Sequence, residues 1–254
     1  MKDTDGSTDD HLGATQRYYD EFAKRYDDAR GGRVPGGYHD LIDELELAFL
    51  QRHGTGKRIL EVGCGTGLLL ARMERFASSA EGVDLSPGML DKARARGLTV
   101  REASATSLPY EDDSFDVSCS FKVLAHVEQI RGALSEMVRV VRPGGVAVAE
   151  FYNPWSLRAL VKRFGPAGAI SARTNEDAVH TRFDSPKAVE ALMPPATEIV
   201  DARGVRIVTP AARLLRWPVV GPLLTEAERR LCDGPLARFG GFWIAAIRKP
   251  GGGR

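Results

Sequence analysis

The chain has 254 residues, of which 43% are hydrophobic and 27% charged, and its formal net charge is +1. This length and composition are those of one globular domain rather than of a disordered chain. The near-zero net charge gives no electrostatic reason to expect a nucleic-acid partner. The longest apolar patch near the C-terminus, Leu214 to Leu224, is interrupted by Arg216 and two prolines and is too short to span a bilayer.

The cysteines indicate the cellular compartment, and the composition of the two chain ends predicts disordered tails. The three cysteines, Cys64, Cys119 and Cys232, show no CxxC spacing, so the sequence predicts neither a disulfide framework nor a metal site. This usage favours a reducing, cytoplasmic environment. Residues 1–10 are polar and acidic, unlike a signal peptide, and they and residues 250–254 are predicted to be disordered tails. The sequence leaves the oligomeric state open.

Two helices are predicted ahead of the first strand. The second covers residues 38–53 and stops at Gly54. The first covers about residues 12–30, and its apolar residues at helical spacing include the aromatic side chains Tyr18, Tyr19, Phe22 and Tyr26. We interpret residues 11–53 as lid helices.

Strands and helices alternate from residue 54 to residue 152. Such alternation predicts parallel βαβ units with right-handed crossovers and therefore a doubly wound sheet. The predicted helices cover residues 67–76, 87–96 and 130–141, and the last ends at a Pro-Gly-Gly turn. The predicted strands cover residues 58–62, 80–84, 98–102, 115–120 and 146–152.

The alternation ends after residue 152. Residues 153–236 combine a basic helical stretch, a short helix at 186–193 and a Pro-rich amphipathic segment at 209–236, and we interpret them as an acceptor-side cap with insertions. Strands at 197–208 and 239–248, the latter within the closing stretch 237–249, complete the sheet. The expected fold is one α/β domain over residues 11–249, a Rossmann-like, doubly wound, mostly parallel seven-stranded sheet with helical cap segments.

A glycine-rich turn follows the first strand, in Ile59-Leu60-Glu61-Val62-Gly63-Cys64-Gly65-Thr66-Gly67. Glycines there allow a tight turn and close approach of a ligand, and a helix beginning after them would present free N–H groups. A dinucleotide fingerprint requires a third glycine where this chain has Leu68. Glu61 would repel a pyrophosphate, but it suits an ammonium group such as that of S-adenosylmethionine (SAM). The residues therefore favour SAM over a nicotinamide dinucleotide.

The second strand ends in another acid, Asp84, in Gly82-Val83-Asp84-Leu85-Ser86. A carboxylate at this strand end can accept both ribose hydroxyl groups. The alternative role, capping the next helix, is better filled by Ser86 ahead of Pro87. Met89 lies one turn into that helix, where it either packs against a flat base or belongs to the core.

Four motifs in order resemble the class I SAM-dependent methyltransferases, in the branch of the ubiquinone/menaquinone biosynthesis methyltransferases and their small-molecule relatives. They are the glycine turn, Asp84, the stretch Ser107-Leu108-Pro109-Tyr110 with Asp113-Ser114-Phe115-Asp116-Val117, and the turn Val138–Gly145. The resemblance covers residues 16–152 well and the final strand weakly. It implies SAM as cofactor, S-adenosylhomocysteine as product and a small molecule as methyl acceptor.

The same resemblance implies which residues contact the cofactor. Adenine would lie against Ala105 and Thr106, the sulfonium near Phe121 and Lys122, and the lid tyrosines over the cationic end or simply packed in the lid. Many relatives have Asp where this chain has Ser104, whose hydroxyl accepts without charge assistance. The expected contacts are Tyr19, Tyr26, Glu61, Gly63, Cys64, Gly65, Gly67, Asp84, Leu85, Met89, Ser104, Ala105, Thr106, Phe121 and Lys122.

Methyl transfer depends mainly on alignment, so this family has no single catalytic signature. His126, after the fourth strand, and His180, in the cap, are the candidate general bases, with packing or capping as the alternative for each. The cap pairs apolar with basic side chains, which indicates a lipophilic acceptor, a peripheral membrane contact, or only an amphipathic cap. Asn153-Pro154-Trp155 superficially resembles the Asn-Pro-Pro-Tyr motif of DNA amino-methyltransferases. It follows the fifth strand and not the fourth, which disfavours nucleic-acid methylation.

Two other functions remain to be weighed against a small-molecule methyltransferase. One is a non-catalytic protein of the same fold that binds SAM or its product as a sensor or adaptor. The other is a nicotinamide-dependent enzyme, which Leu68 and Glu61 oppose.

Overall fold

The computed structural model describes residues 6–29, 37–157, 159 and 180–251. Most of the predicted basic helical stretch therefore lies outside the described residues, as do residues 1–5 and 252–254. The helices are α1 (Gly6–Ala23), α2 (Tyr26–Ala29), α3 (Tyr38–Gly54), α4 (Leu70–Met73), α5 (Pro87–Ala95), α6 (Ile130–Arg139), α7 (Pro186–Glu190) and α8 (Val220–Leu231). The strands are β1 (Arg58–Val62), β2 (Ser79–Asp84), β3 (Val100–Glu102), β4 (Phe115–Ser120), β5 (Val141–Tyr152), β6 (Glu198–Val205) and β7 (Phe242–Arg248).

The predicted seven-stranded, doubly wound sheet is confirmed. Its strand order is β3-β2-β1-β4-β5-β7-β6. All neighbours from β3 to β5 pair in parallel, while β7 is antiparallel to both β5 and β6. The chain runs from β3 at one edge to β4 on the other side of β1. The strand order therefore reverses between β1 and β4, and a crevice at their carboxyl ends is the expected ligand site.

Both faces of the sheet are buried, which explains the nearly continuous apolar sequence of the central strands. Ile59 of β1 packs in a cluster with residues of α3, α4 and α5. Leu60 and Val62 of the same strand pack on the other face, against α6 and residues of β7. A strand buried on both faces places its end, and the turn that follows, at a fixed position.

The N-terminal helix differs from the prediction at both ends. It begins at Gly6, so residues 6–10 are helical and not part of a tail. Ser, Thr and Asp residues in the first turn favour a helix start there. The helix then breaks after Ala23, and α2 continues it for one turn.

Two elements near the glycine turn also differ. The helix predicted for 67–76 is reduced to Leu70–Met73, because Gly67 has a φ of +79°, which a right-handed helix cannot include. The predicted Pro-Gly-Gly turn lies inside β5, which starts at Val141. There Phe115 pairs with Val141 but Val117 pairs with Val146, so the intervening β5 residues form a bulge in which Gly144 has a φ of +75°.

The cap contains 3₁₀ turns at Ala212–Arg216 and Pro235–Phe239 on either side of α8. Within the described ranges, none of the helices is long and apolar enough to cross a membrane. The buried Glu228 of α8 ties this region to the chain after β6. Its carboxylate accepts hydrogen bonds from the backbone N–H groups of Ile207, Val208 and Thr209 at 2.8–2.9 Å and from the Thr209 hydroxyl at 2.8 Å.

We predict that Glu228→Gln destabilises the fold by about 1–3 kcal/mol, because one amide nitrogen would then face an N–H donor in a buried site. Urea unfolding measures the change. Glu226→Gln, on the same helix, is the matched control, because Glu226 pairs with Arg230 in solvent and such pairs contribute little. Equal stability of the two variants would contradict the role of Glu228.

Candidate active site

A cavity of about 330 Å³ opens at the carboxyl ends of β1, β2 and β4. Its volume is in the range of small-molecule sites, roughly 300–1,000 Å³. Gly67 does not line it. All the other predicted contacts and both candidate bases do: Tyr19, Tyr26, Glu61, Gly63, Cys64, Gly65, Asp84, Leu85, Met89, Ser104, Ala105, Thr106, Phe121, Lys122, His126 and His180.

The glycine turn brings the end of β1 against the chain after β4. The Gly63 and Cys64 N–H groups both donate to the Val83 carbonyl, at 2.7 and 2.9 Å. Gly63 has a φ of +79°, and a Cβ there would lie 2.3 Å from the Val123 side chain. Gly67 meets Leu98 in the same way, at 2.2 Å, so it serves packing and not the cavity wall.

Asp84 is anchored by backbone donors on both carboxylate oxygens. Gly65 N–H donates to Oδ2 at 2.8 Å, and Ser86 N–H donates to Oδ1 at 2.9 Å. Burial raises its pKa, although these bonds work in the opposite direction. The Ser86 hydroxyl accepts the Met89 N–H at 3.1 Å, which confirms Ser86 as the cap of α5. The Asp84 carboxylate is thus fixed at the cavity wall, with lone pairs for further donors.

Glu61 carries a buried oxygen that lacks a hydrogen-bond partner. The residue is 3% exposed, and its Oε2 has no partner among the residues that the structure describes. Burial raises the pKa of this carboxyl group well above its ordinary value, with Lys122 acting against the rise and Glu46 and Asp84 adding to it. An unpaired buried carboxylate is unfavourable, so a cationic ligand group at this position would satisfy it.

Behind Glu61 lies a set of charges that the sequence did not reveal. Lys122 has a φ of +61°, and its ammonium group contacts Glu46 at 2.6 Å and Asp43 at 3.1 Å. Its backbone N–H donates to Glu150 at 3.0 Å. Burial raises the pKa of both Glu46 and Glu150, and the charge of Glu46 adds to the rise at Glu150. The cavity wall at Lys122 is therefore polar, and acidic side chains of α3 and β5 hold it in place.

At the predicted adenine end, two hydroxyl groups lie next to each other. The Ser104 and Thr106 hydroxyl oxygens are 2.8 Å apart, and Thr106 N–H donates to the Ser104 oxygen at 3.3 Å. Met89 lines the cavity and is otherwise buried. This part of the wall offers hydroxyl donors and acceptors without a charge.

The N-terminal helices lie over the cavity and contact its rim through polar groups. From α1, the Gln16 amide donates to the Leu85 carbonyl at 3.0 Å. Asp20 accepts from the Ser86 hydroxyl at 2.5 Å and from Gly88 N–H at 3.0 Å. Tyr19 lies between these contacts and lines the cavity, and burial raises the pKa of its hydroxyl group.

A second rim contact is made by α2. Asp27 accepts from the Thr66 hydroxyl at 2.8 Å and pairs with Arg96 at 2.5 Å. Arg96 also donates to the Thr66 carbonyl at 2.5 Å. The lid is thus attached both to the glycine turn and to the end of α5, and the lid tyrosines line the cavity between these attachments.

The two candidate bases meet at the end of the cavity near the cap. His126 Nδ1 is 3.0 Å from the His180 carbonyl oxygen and 3.3 Å from the Thr181 hydroxyl. The Tyr152 ring lies edge-on to the His126 ring, with centroids 5.8 Å apart. Sequence reasoning found each histidine but not their contact, because 54 residues separate them. It also missed wall residues most of which flank predicted ones: Thr15, Thr66, Leu68, Leu69, Ala103, Val123, Val127, Glu128 and Gln129.

A family model and several curated relatives match part of the chain. A model described as a methyltransferase domain matches residues 60–149. The demethylmenaquinone methyltransferase of Clavibacter sepedonicus is 39% identical over 149 residues, which cover 56% of this chain and 60% of that protein. That of Mycobacterium sp. (strain KMS) is 38% identical over 138 residues, covering 54% and 59%. The chain spans about three-fifths of the length of these relatives.

Solved structures share the fold over most of the chain. A SAM-dependent methyltransferase of Thermotoga maritima, described as a possible histamine N-methyltransferase, has a TM-score of 0.66 at 21% identity, covering 91% of this chain and 98% of that one. The [4+2]-cyclase SpnF has a TM-score of 0.62 at 22% identity, covering 94% and 96%. At such identities the likeness concerns the fold, and a fold alone does not fix an activity.

The residues that line the cavity suit the chemical groups of the predicted cofactor, SAM. The unpartnered Glu61 oxygen suits an ammonium group, the anchored Asp84 carboxylate suits ribose hydroxyls, and the glycine turn brings backbone to the wall. The wall position of Leu68 and the acid at 61 do not suit a pyrophosphate. These features agree with the methyltransferase domain that the family model matches over residues 60–149.

Proposed function

We propose that the protein transfers the methyl group of SAM to a lipophilic, quinol-like small molecule. The single observation that carries the cofactor half of this proposal is the buried Glu61 oxygen beside the glycine turn, which has no hydrogen-bond partner within the described part of the chain. The acceptor half is supported by the names of the curated relatives, which methylate demethylmenaquinone. Since the chain matches only part of those proteins, the acceptor is a proposal about this chain.

Each predicted contact receives a role in this proposal. Glu61 binds the ammonium group, and Asp84 accepts from the ribose hydroxyls. Tyr19 and Tyr26 cover the cationic end, where aromatic faces are favourable for a cation. The remaining wall residues hold the base, the backbone of the methionine part and the region of the sulfur: Gly63, Cys64, Gly65, Leu85, Met89, Ser104, Ala105, Thr106, Phe121 and Lys122.

The bound cofactor supplies an electrophilic methyl group with a neutral thioether as leaving group. The chain's own contribution is to fix the two reactants in line and to exclude water, and such alignment can lower a barrier by up to about 7–11 kcal/mol. The rigid turn, the anchored Asp84 and the two lid attachments serve this alignment.

An apolar acceptor is supported by the side of the cavity near the cap. Phe121, Val123 and Val127 line the wall there. The Tyr152 and Phe183 rings lie at a tilt of 56° with centroids 6.0 Å apart, and Phe183 is 56% exposed. An apolar tail could follow these rings outward. The other exposed large apolar side chains are Trp155, Leu157, Trp217, Val219, Leu223, Leu236 and Phe239, and peripheral membrane contact, like a cytoplasmic location, stays a prediction.

A non-catalytic SAM sensor is the alternative within the same fold. No contact in the described cavity favours it, and the matched relatives are methyltransferases by name. Turnover with a methyl-labelled donor separates it from an enzyme.

We predict that calorimetry detects binding of SAM and of S-adenosylhomocysteine but not of NAD. Glu61→Gln weakens SAM binding about 10- to 100-fold, the loss expected for a charged hydrogen bond of about 1.5–3 kcal/mol. Glu74→Gln, exposed after α4, is the control. NAD binding at the same site, or unchanged SAM affinity in Glu61→Gln, would contradict the assignment.

The same site predicts proton release on cofactor binding. Burial raises the Glu61 pKa, so in the free protein this carboxyl group keeps its proton to higher pH than an ordinary glutamate. An ammonium partner requires the carboxylate, so SAM affinity should rise with pH until Glu61 ionises without ligand, and fall as pH decreases. Titration in buffers of different ionisation enthalpy should show released protons in the wild type and none in Glu61→Gln.

The lid contacts predict a slow cofactor exit. In Asp27→Asn the pair with Arg96 loses its charge, and bound radiolabelled SAM should dissociate about two- to fivefold faster in a chase experiment, because a partly exposed ion pair contributes about 0.2–1 kcal/mol. Asp91→Asn removes an exposed ion pair from α5 and should change nothing. An unchanged rate in Asp27→Asn would show that the lid does not hold the cofactor through this contact.

The acceptor class is tested with a reduced, short-tailed demethylmenaquinol. We expect incorporation of the labelled methyl group into this probe and little into hydrophilic amines of similar size. Labelling of the amines alone would overturn the proposed acceptor while leaving the cofactor assignment intact.

A further inference from the structure

Resting on the proposed SAM-dependent transfer, we infer that His126 Nε2 accepts a proton from the methyl acceptor, whose nucleophile is generated from a weakly acidic hydroxyl group of a phenol, hydroquinone or enol. His180 acts through its backbone carbonyl, which orients His126. The inference assigns distinct roles to two histidines that the sequence marked as equivalent candidates.

The position of His126 follows from the end of β4. The strand leads through Phe121 and Lys122 into a 3₁₀ turn at Leu124–His126. Leu124 and Ala125 are buried, which fixes the turn, and His126 lines the same cavity as Glu61 and Asp84. His126 is therefore held at the wall of the cavity in which the proposed transfer takes place.

The contact with His180 determines which ring nitrogen carries the proton. A backbone carbonyl oxygen can only accept, so the 3.0 Å contact requires a proton on Nδ1. The Thr181 hydroxyl at 3.3 Å can share that proton. In the neutral ring, Nε2 then carries the lone pair. This is how histidine bases are commonly prepared, with the donor nitrogen held by an acceptor and the other nitrogen directed at the substrate.

The orienting carbonyl is itself held in place. Arg182 N–H donates to the Ala125 carbonyl at 2.8 Å, and Asp184 N–H donates to the Tyr152 carbonyl at 2.8 Å. The Arg182 guanidinium binds the Asp184 carboxylate through two contacts of 2.7 and 2.9 Å. The segment 180–184 is thus attached to the His126 turn and to the end of β5.

The proton balance favours a hydroxyl acceptor. The O–H proton passes to Nε2, and its electron pair stays on oxygen or is delocalised to a ring carbon. A new O–CH₃ or C–CH₃ bond forms as the S–CH₃ bond breaks; a methylated carbon then loses its own proton, and the imidazolium returns its proton to water. A neutral amine attacks without prior deprotonation and needs no such base. The other titratable groups that line the described cavity are Tyr19, Tyr26, Glu61, Cys64, Asp84, Lys122, Glu128 and His180.

The test variant is His126→Asn. Its amide can still donate to the His180 carbonyl, but it offers no proton acceptor at the Nε2 position. With the short-tailed demethylmenaquinol probe we expect kcat to fall about 10²- to 10⁴-fold, the usual contribution of a general base, and the acid limb of the pH–rate profile to disappear. SAM affinity should stay within twofold. His39→Gln, an exposed histidine on α3, is the control. If the probe is not methylated, the rates are compared on extract compounds that the wild type labels.

A readout independent of turnover is the tautomer itself. Nitrogen-15 NMR of the SAM-bound protein, with the His126 signals assigned by their loss in His126→Asn, should show a protonated Nδ1 and an unprotonated Nε2. A proton on Nε2, a kcat for His126→Asn within twofold of wild type, or labelling of amines alone would overturn the inference. Failure of SAM to bind would instead remove the proposed function on which it rests.

Discussion

A carboxylate oxygen buried without a partner is unfavourable, and Glu61 carries one at the end of the central strand. The strand cannot move to relieve it, since both of its faces pack against helices. The glycine turn closes over the same point, with Gly63 against Val123 where no side chain would fit. Among the described residues, the protein therefore leaves one Glu61 oxygen without a hydrogen-bond partner at a fixed position on the cavity wall. This constraint favours a cationic ligand group at that position.

The charged groups next to Glu61 strengthen the preference for a cationic ligand group. The Lys122 ammonium group is engaged by Asp43 and Glu46, and its backbone N–H donates to Glu150. The charge of Lys122 opposes the rise in the pKa of Glu61 but makes no hydrogen bond to the Glu61 Oε2. The interior is thus arranged with more acid than base around the ligand position.

Much of the fold followed from local pattern. Alternating strands and helices predicted the sheet, and the spacing of the glycines with Asp84 predicted one wall of the cavity, because both depend on residues that are close in sequence. The differences between the predicted and the observed elements have local causes that the sequence pattern does not show. A left-handed Gly67 delays α4, and the Pro-Gly-Gly stretch is absorbed as a bulge of β5 and does not end a helix.

What escaped prediction depends on contacts between distant segments. The sequence analysis gave Glu46 no role, yet it is fully buried beside Lys122. It gave none to Asp20 and Asp27 either, although both accept hydrogen bonds from the cavity rim. The pairing of His126 with the His180 carbonyl likewise requires the cap to fold back on β4. Residue spacing along the sequence does not predict such contacts between distant segments.

The contacts of the lid helices and those of residues 180–184 end on different parts of the sheet. Both lid contacts, through Asp20 and Asp27, end on the half built by β1, β2 and α5. The backbone of residues 180–184 is joined to the turn after β4 and to β5. In the proposed function, donor binding and acceptor binding therefore use separate stretches of sequence, and substitutions in the second can accumulate without changing the first.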